Sequence, residues 1–213
     1  MIFDFETLPG TECYKLMVST IVPRPIAWVV TEDRAGVLNA APYSFFNGFS
    51  GDPPIIGIGC GHRNGVHKDT LANIEATGQF TVCLVPEERA LQMNVTATEF
   101  GPEVDELAEA GLTAAPSTKI RPPRIAESPV AMECERFQLV PLGKNMLVLG
   151  RILAMHVRDD CVLDPVKHYI DSPKLGLVGR MHGRGWYART TDRLEIPRMT
   201  PEQWAKLKAE EEG

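Results

Sequence analysis

Residues 39–54 read Asn-Ala-Ala-Pro-Tyr-Ser-Phe-Phe-Asn-Gly-Phe-Ser-Gly-Asp-Pro-Pro, and no other stretch restricts the fold as tightly. The segment is too apolar and aromatic for an ordinary exposed loop, yet too interrupted by Pro, Asn and Gly for an ordinary strand. It predicts a loop in which several backbone N–H groups lack sheet partners while apolar rings stand beside them. Two readings satisfy that description. A planar, polar-edged ligand would be read at its edge by backbone donors and covered on a face by Tyr43, Phe45, Phe46 or Phe49. Equally, the segment would be a buried turn whose aromatics fill core.

The flanks read as strands. Pro23-Arg-Pro-Ile-Ala-Trp-Val-Val-Thr31 gives an entry turn and a strand of β-branched and aromatic residues, Asp33–Gly36 a hairpin turn, and Val37–Ala41 the returning strand. Pro54–Gly59 is a further short, buried strand, so an antiparallel sheet curling on itself is expected. Gly61–His67 reads as a loop, followed by a helix from Lys68-Asp-Thr70 to about Thr77 that Gly78 stops. Gln79–Val85 is a strand, Pro86–Asn94 and Glu103–Ala110 are short surface helices, and Ile120–Pro129 is an irregular connector. Val130–Leu139 and Met146–Val157 have the length and patterning of long barrel strands. Thr200-Pro-Glu-Gln203 combines an N-cap, a proline at the first helical position and a capping-box Gln. It opens a tail helix over about 200–212 whose Trp204 and Leu207 would dock on the body or on a partner subunit. No repeat or flexible linker divides residues 1–213, which read as a single domain.

Composition narrows the partners. The net charge of −6 argues against a nucleic-acid or anionic-membrane surface, so any bound anion must be held by a local cluster. No apolar run reaches bilayer-spanning length, and Met-Ile-Phe-Asp-Phe-Glu lacks the pattern of a secretory signal. Cys13, Cys60, Cys83, Cys134 and Cys161 are scattered, odd in number and without a C-x-x-C pair, which predicts free thiols in a reducing, cytoplasmic setting. Cys60 and His62 with His67 lack a fourth ligand at a sensible spacing, so no metal site is expected.

A local anion cluster does exist. Arg63-Asn-Gly-Val-His-Lys-Asp-Thr70, followed by Asn73, places Arg63, His67, Lys68 and the Thr70 hydroxyl at a helix start, where unpaired N–H groups carry partial positive charge. Backbone donors, cations and a hydroxyl converging on one point suit a phosphate. The alternative is that Asp69 caps the helix and Lys68 is a solvated charge. A ring-binding loop upstream of a phosphate-binding helix start tips the reading towards a phosphorylated aromatic cofactor.

Taken in order, Pro23–Thr31, Asn39…Ala-Pro-Tyr-Ser-Phe-Phe-Asn47, Ser50-x-Asp-Pro-Pro54, Lys68-Asp-Thr-x-x-Asn73, Gly78-x-Phe-x-Val82, Pro122–Pro129 and Gly179-Arg-Met-His-Gly-x-Gly-Trp-Tyr187 resemble the flavin reductase-like family of FMN-binding split barrels. The similarity runs from about Lys15 to about Arg198. It implies a mainly β fold with peripheral helices, a six-stranded Greek-key split barrel, and a homodimer with FMN near the subunit interface. By position it implies that Tyr43, Ser44, Phe45, Phe46 and Asn47 line the isoalloxazine, and that Lys68, Asp69 and Thr70 lie at the phosphate end with Ser50 nearby. Arg24 would reach the flavin or its phosphate, or serve in a structural ion pair. Cys83 stands where similar proteins often carry Asn, which bears on cofactor affinity if that Asn helps order the flavin loop. In the glycine-rich Arg180–Tyr187 run, His182 and Tyr187 are candidates for shaping the nicotinamide side of the flavin or a substrate pocket, and Trp186 for core.

The implied activity is hydride transfer from NADH or NADPH to FMN, with alignment and backbone donors around Ser44–Asn47 as the protein's contribution and His182 as the candidate side chain. Reduced flavin or electrons would then pass to a partner such as a monooxygenase. The alternatives are an FMN-holding electron-transfer protein and an FMN oxidoreductase with its own organic substrate.

Overall fold

A computed structural model describes residues 1–63, 66–101, 103–183 and 185–211. After helix α1 (Gly10–Thr20), strands β1 (Ala27–Glu32), β2 (Leu38–Tyr43), β3 (Phe46–Gly51), β4 (Pro54–Arg63) and β5 (Val66–His67) precede helix α2 (Asp69–Thr77). Then come β6 (Gln79–Leu84), α3 (Ala90–Val95), α4 (Glu106–Glu109), and the short pair β7 (Ala114–Ala115) and β8 (Arg124–Ile125). The long strands β9 (Val130–Leu142) and β10 (Asn145–Val157) follow. The chain continues through β11 (Val162–Asp164), β12 (Tyr169–Ile170), β13 (Val178–Arg180) and β14 (Tyr187–Arg189) to the tail helix α5 (Pro201–Glu211).

The main sheet runs β2-β1-β6-β9-β10-β4-β3, with β5 attached to β4, and every pairing in it is antiparallel. Its two edges, β2 and β3, are consecutive in the chain, and only Ser44 and Phe45 lie between them. The three Cα steps from Tyr43 to Phe46 span no more than about 11 Å, so the opposite edges of a seven-strand path are brought together at that point. The sheet therefore curls into a barrel that is split at residues 44–45. The fold is mainly β with peripheral helices, as expected.

The strand count exceeds the expected six for two reasons. Phe46–Gly51 pairs with β4 (Phe46 opposite Ile58, Asn47 opposite Gly57) instead of forming loop, and a register shift between Gly48 and Ser50 accommodates the residues that look unlike a strand. Within the expected loop 61–67, β4 extends to Arg63 and pairs with β5, His62 opposite His67 and Arg63 opposite Val66. Asn64, Gly65 and the Arg63 side chain lie outside the described residues, as does Arg184.

β1 shows why the Ala27–Val30 run is continuously apolar. Ala27 and Val29 face the barrel interior with Tyr43, Ile58, Leu71, Phe80, Val82 and Cys134, while Trp28 and Val30 face an outer cluster with Cys83, Met93, Leu107 and Ile125. Both faces are covered, so alternation disappears. Trp28 Nε1 donates to Thr96 Oγ1 at 2.9 Å, which ties the 96–100 segment to the barrel. The predicted Asp33 turn forms, its carboxylate accepting from the Ala35 and Val37 amides at 2.8 Å each. The tail's capping box is also present, with Thr200 N–H donating to Gln203 Oε1 at 2.8 Å and Gln203 N–H to Thr200 Oγ1 at 3.3 Å. Trp204 and Leu207 are exposed, at 51% and 42%. All five cysteines are free, and Cys60, Cys83, Cys134 and Cys161 are buried. Among the described residues no helix is long and apolar enough to cross a membrane.

Candidate functional site

Helix α2 begins without a side-chain cap. Its N-cap position is Lys68, which makes no capping hydrogen bond, and Asp69 is the first helical residue, exposed at the surface. The reading in which Asp69 caps the helix is therefore not realised, and the positive end of the helix is left to other partners. At the other end Gly78 stops the helix in the left-handed conformation, φ +74°. Thr70 is buried in the first turn, and its hydroxyl accepts from Asn39 Nδ2 at 2.9 Å; Asn73 donates to Thr31 Oγ1 at 3.1 Å. These bonds lock the helix start against β1 and β2.

The uncapped end opens into a cavity of about 340 Å³ lined by Asn39, Tyr43, His67, Lys68, Asp69 and Thr70, and closed on its far side by the 96–100 segment and Glu106. Tyr43 is only 8% exposed, its ring packed in the barrel core, and its hydroxyl has no hydrogen-bond partner among the described residues. Burial pushes the phenol well above its ordinary range; the Thr70 hydroxyl is near enough to oppose this in part, yet stands outside hydrogen-bond geometry. A buried hydroxyl left unpaired costs roughly 1–3 kcal/mol, and a polar ligand in the cavity would remove that cost. His67 is less available, because its Nδ1 meets Glu75 Oε2 at 2.7 Å, while its ring lies edge-on to His62 at 4.6 Å.

The split itself is the second part of the site. Ser44 and Phe45 fall outside both flanking ladders. Phe45 O accepts from Gly59 N–H at 2.7 Å, and a Cβ at Gly59 would stand 2.9 Å from Phe45 Cβ, so only glycine lets β4 pass this close to the turn. Ser44 Oγ accepts from Arg24 Nε at 3.3 Å. Arg24 is buried, and its guanidinium is engaged by Ser44 and by the end of α1. Its Nη1 donates to the Val18 and Ile21 carbonyls at 2.7 and 2.8 Å, satisfying the C-terminal end of α1, and burial lowers its pKa. Phe46 packs partly against the barrel interior, Asn47 is exposed with its Oδ1 accepting from Gly48 N–H at 2.8 Å, and Ser50 is exposed on β3.

The structure thus joins Tyr43, Lys68, Asp69 and Thr70 around one cavity, while Phe46 and Asn47 line a different, apolar groove of about 450 Å³ with Ile26, Met132, Leu177 and Val178. His182 lines a third, beside α1 residues Tyr14 and Val18 and Lys144, and Tyr14 leads back to Phe45 at a ring separation of 6.2 Å. Tyr187 is half-buried under the Arg180 guanidinium, 4.8 Å from its ring centroid. Trp186, expected in the core, is exposed and 5.7 Å from His182. Cys83 belongs to the outer cluster, where its Sγ accepts from Ile125 N–H at 3.4 Å, on the face of the sheet opposite the Tyr43 ring.

Two contributors were missed from sequence. Helix α1 carries no strong periodic signal and buries only Val18 among its own residues. Glu106 reads as one charge on a surface helix, yet it is 7% exposed, and its Oε2 accepts from Ala40 N–H at 3.0 Å across a separation of 66 residues.

Known proteins share this fold. An uncharacterised protein of Deinococcus radiodurans is 43% identical over 99% of this chain and 96% of its own length. The crystal structure of nitrilotriacetate monooxygenase component B from Bacillus cereus is 31% identical and superimposes with a TM-score of 0.87, covering 92% of this chain and 98% of that one. The 2-nitrobenzoate 2-nitroreductase NbaA of Pseudomonas fluorescens is 34% identical, with a TM-score of 0.86 over 94% and 98% of the two chains. The flavin reductase like domain matches residues 18–172, and the chain belongs to that family.

Proposed function

We propose that the protein is an FMN-dependent NAD(P)H:flavin oxidoreductase. The observation that carries this reading is the pairing, in one cavity, of an uncapped helix start bearing Lys68 and Thr70 with the orphaned hydroxyl of Tyr43. Those residues fit a phosphorylated, hydroxyl-rich chain: donors and a cation at one end, a neutral hydroxyl needing a partner at the other. The split at Ser44–Phe45 adjoins Tyr43 and would receive the attached ring, with main-chain groups that no ladder uses facing its edge. When bound, FMN supplies the hydride-accepting N5 and the two-electron chemistry. Lys68 and the α2 start would hold the phosphate, Thr70 and Asn39 would fix the helix to the barrel, and Gly59 with Arg24 would hold the turn in shape. His182 and Tyr14 would border the face from which a nicotinamide or other substrate approaches.

A homodimer would close the apolar groove beside Phe46 and Asn47 and complete the flavin pocket. A monooxygenase is a reasonable receiver of the reduced flavin, given the likeness to a monooxygenase component B. The likeness to a nitroreductase supports a second reading, in which bound FMN passes electrons to an organic substrate at the Tyr14–His182 groove. Rapid mixing of the FMN-loaded protein with NADH and with NADPH separates these from a passive carrier. Flavin bleaching faster than that of free FMN is expected with at least one nicotinamide, and no bleaching with either would refute the reductase.

A further inference from the structure

The cavity at the α2 start has an unexpected charge balance. Its lining includes Lys68 and His67 but also Asp69, Glu99 and Glu106. Asp69 is exposed, where water screens it. Glu106 is not. It lies in the wall formed by α4 against β2, where its Oε2 is tied to the Ala40 amide. The ionisable groups around it are Tyr43 on β2, His67, Lys68 and Asp69 at the β5–α2 junction, Glu99 on the 96–100 segment, and Asp105, the α4 N-cap. Asp105 is occupied with the Leu107 and Ala108 amides. A phosphate dianion entering here meets a desolvated carboxylate with few compensating donors, a costly arrangement in a poorly screened site.

We propose that phosphate-ester binding at this cavity is coupled to protonation of Glu106, so that Glu106 makes flavin loading proton-dependent. The proposal rests on the FMN reading above. Protonation removes the repulsion and turns the oxygen not held by Ala40 from an acceptor into a donor towards the ligand. Burial already raises the Glu106 pKa, with Asp69 and Asp105 adding to it and the Ala40 and Glu106 amides opposing. A nearby dianion raises it further, and by linkage the ligand then binds with net proton uptake.

The test is calorimetric titration of FMN into the flavin-free full-length protein and its Glu106→Gln variant, in buffers of different ionisation enthalpy between about pH 5 and pH 8. Gln keeps an acceptor for Ala40. FMN's own ionisation is common to both proteins and cancels in the comparison. The wild type is expected to take up more protons per FMN than the variant, by a difference approaching one, and its Kd should steepen towards about tenfold per pH unit while the variant's stays flatter. Equal proton counts and parallel pH profiles would overturn the proposal while leaving FMN binding intact. No binding of FMN to either protein would overturn the flavin reading and the proposal together. Should the variant misfold, riboflavin replaces it as the control: once the titration of FMN's own phosphate, with a second pKa of about 6, is subtracted, FMN must bind the wild type with more proton uptake than riboflavin, and equal uptake refutes the coupling.

Discussion

Among the described residues two carboxylates are buried, Glu133 and Glu106, and they are held in opposite ways. Glu133 on β9 is 0% exposed and surrounded by donors: Thr118 N–H at 2.7 Å, Thr118 Oγ1 at 3.0 Å, Lys119 N–H at 2.6 Å and His156 Nε2 at 2.5 Å. Burial alone would raise its pKa, but His156 and the three Thr118 and Lys119 donors reverse that and hold it at about 2. Glu106 is nearly as buried, but beyond its own amide its carboxylate is tied among the described residues by the Ala40 backbone N–H, and burial raises its pKa. The first is a satisfied structural anchor that pins the 118–119 segment to the sheet. The second is under-satisfied and lines a cavity. Burial of a charge does not by itself mark a site; incomplete satisfaction of a buried charge beside open volume does.

The largest expected effect tests the anchor. Glu133→Gln replaces a strong acceptor with a weaker one and forces an amide NH₂ against existing donors. It should cost about 3 kcal/mol of stability, read from the urea midpoint at neutral pH. The pH dependence follows from the depressed pKa. The Glu133 contribution is complete above the unfolded carboxyl value of about 4.3 and is lost as pH falls towards about 2. Wild-type stability should therefore fall across that interval, and the variant should fall less. An unchanged midpoint in Glu133→Gln would erase the distinction drawn between the two carboxylates.

A second effect belongs to the cavity alone. Lys68 is exposed, so Lys68→Ala should leave the urea midpoint nearly unchanged while weakening FMN binding roughly tenfold. Adding Thr70→Ala should weaken binding further, at a cost in stability from the lost Asn39 bond. Unaltered FMN affinity in the double variant would remove the phosphate from the α2 start and leave Glu106 facing no anion.

How much of this was visible in the chain depends on where the determining contacts lie. The helix start at 68–70, its stop at Gly78, the Asp33 turn and the tail's capping box are set by neighbours within a few residues, and each forms as the local pattern predicts. The Tyr43–Asn47 segment was recognisable as exceptional, but its conformation was not. Phe46 and Asn47 become strand because β4 pairs with them, and Tyr43 turns its ring into the core because it closes the barrel seam. Glu106 was illegible for the same reason in stronger form. Within Asp105-Glu-Leu-Ala-Glu109 it looks like any solvated helix charge, and its burial is imposed by β2. Glu133 reads as the polar member of a strand, and its donors sit on an irregular stretch that no periodicity describes.

The smallest effect is the most discriminating, because its sign differs. In the folded state Glu106 holds its proton to higher pH than it would unfolded. Folding is therefore favoured by protonation here, and the ionised group becomes a net cost once pH rises past its folded pKa. Glu106→Gln removes that cost while leaving an acceptor for Ala40, so the flavin-free variant should be slightly more stable than wild type at neutral pH, by about 0.5–1 kcal/mol. The gain should shrink as the solution is acidified and wild-type Glu106 becomes neutral. A residue kept in a form that weakens the empty barrel is accounted for by what enters the cavity beside it. If Glu106→Gln instead destabilises the flavin-free protein as Glu133→Gln does, both carboxylates are anchors and the contrast between them collapses.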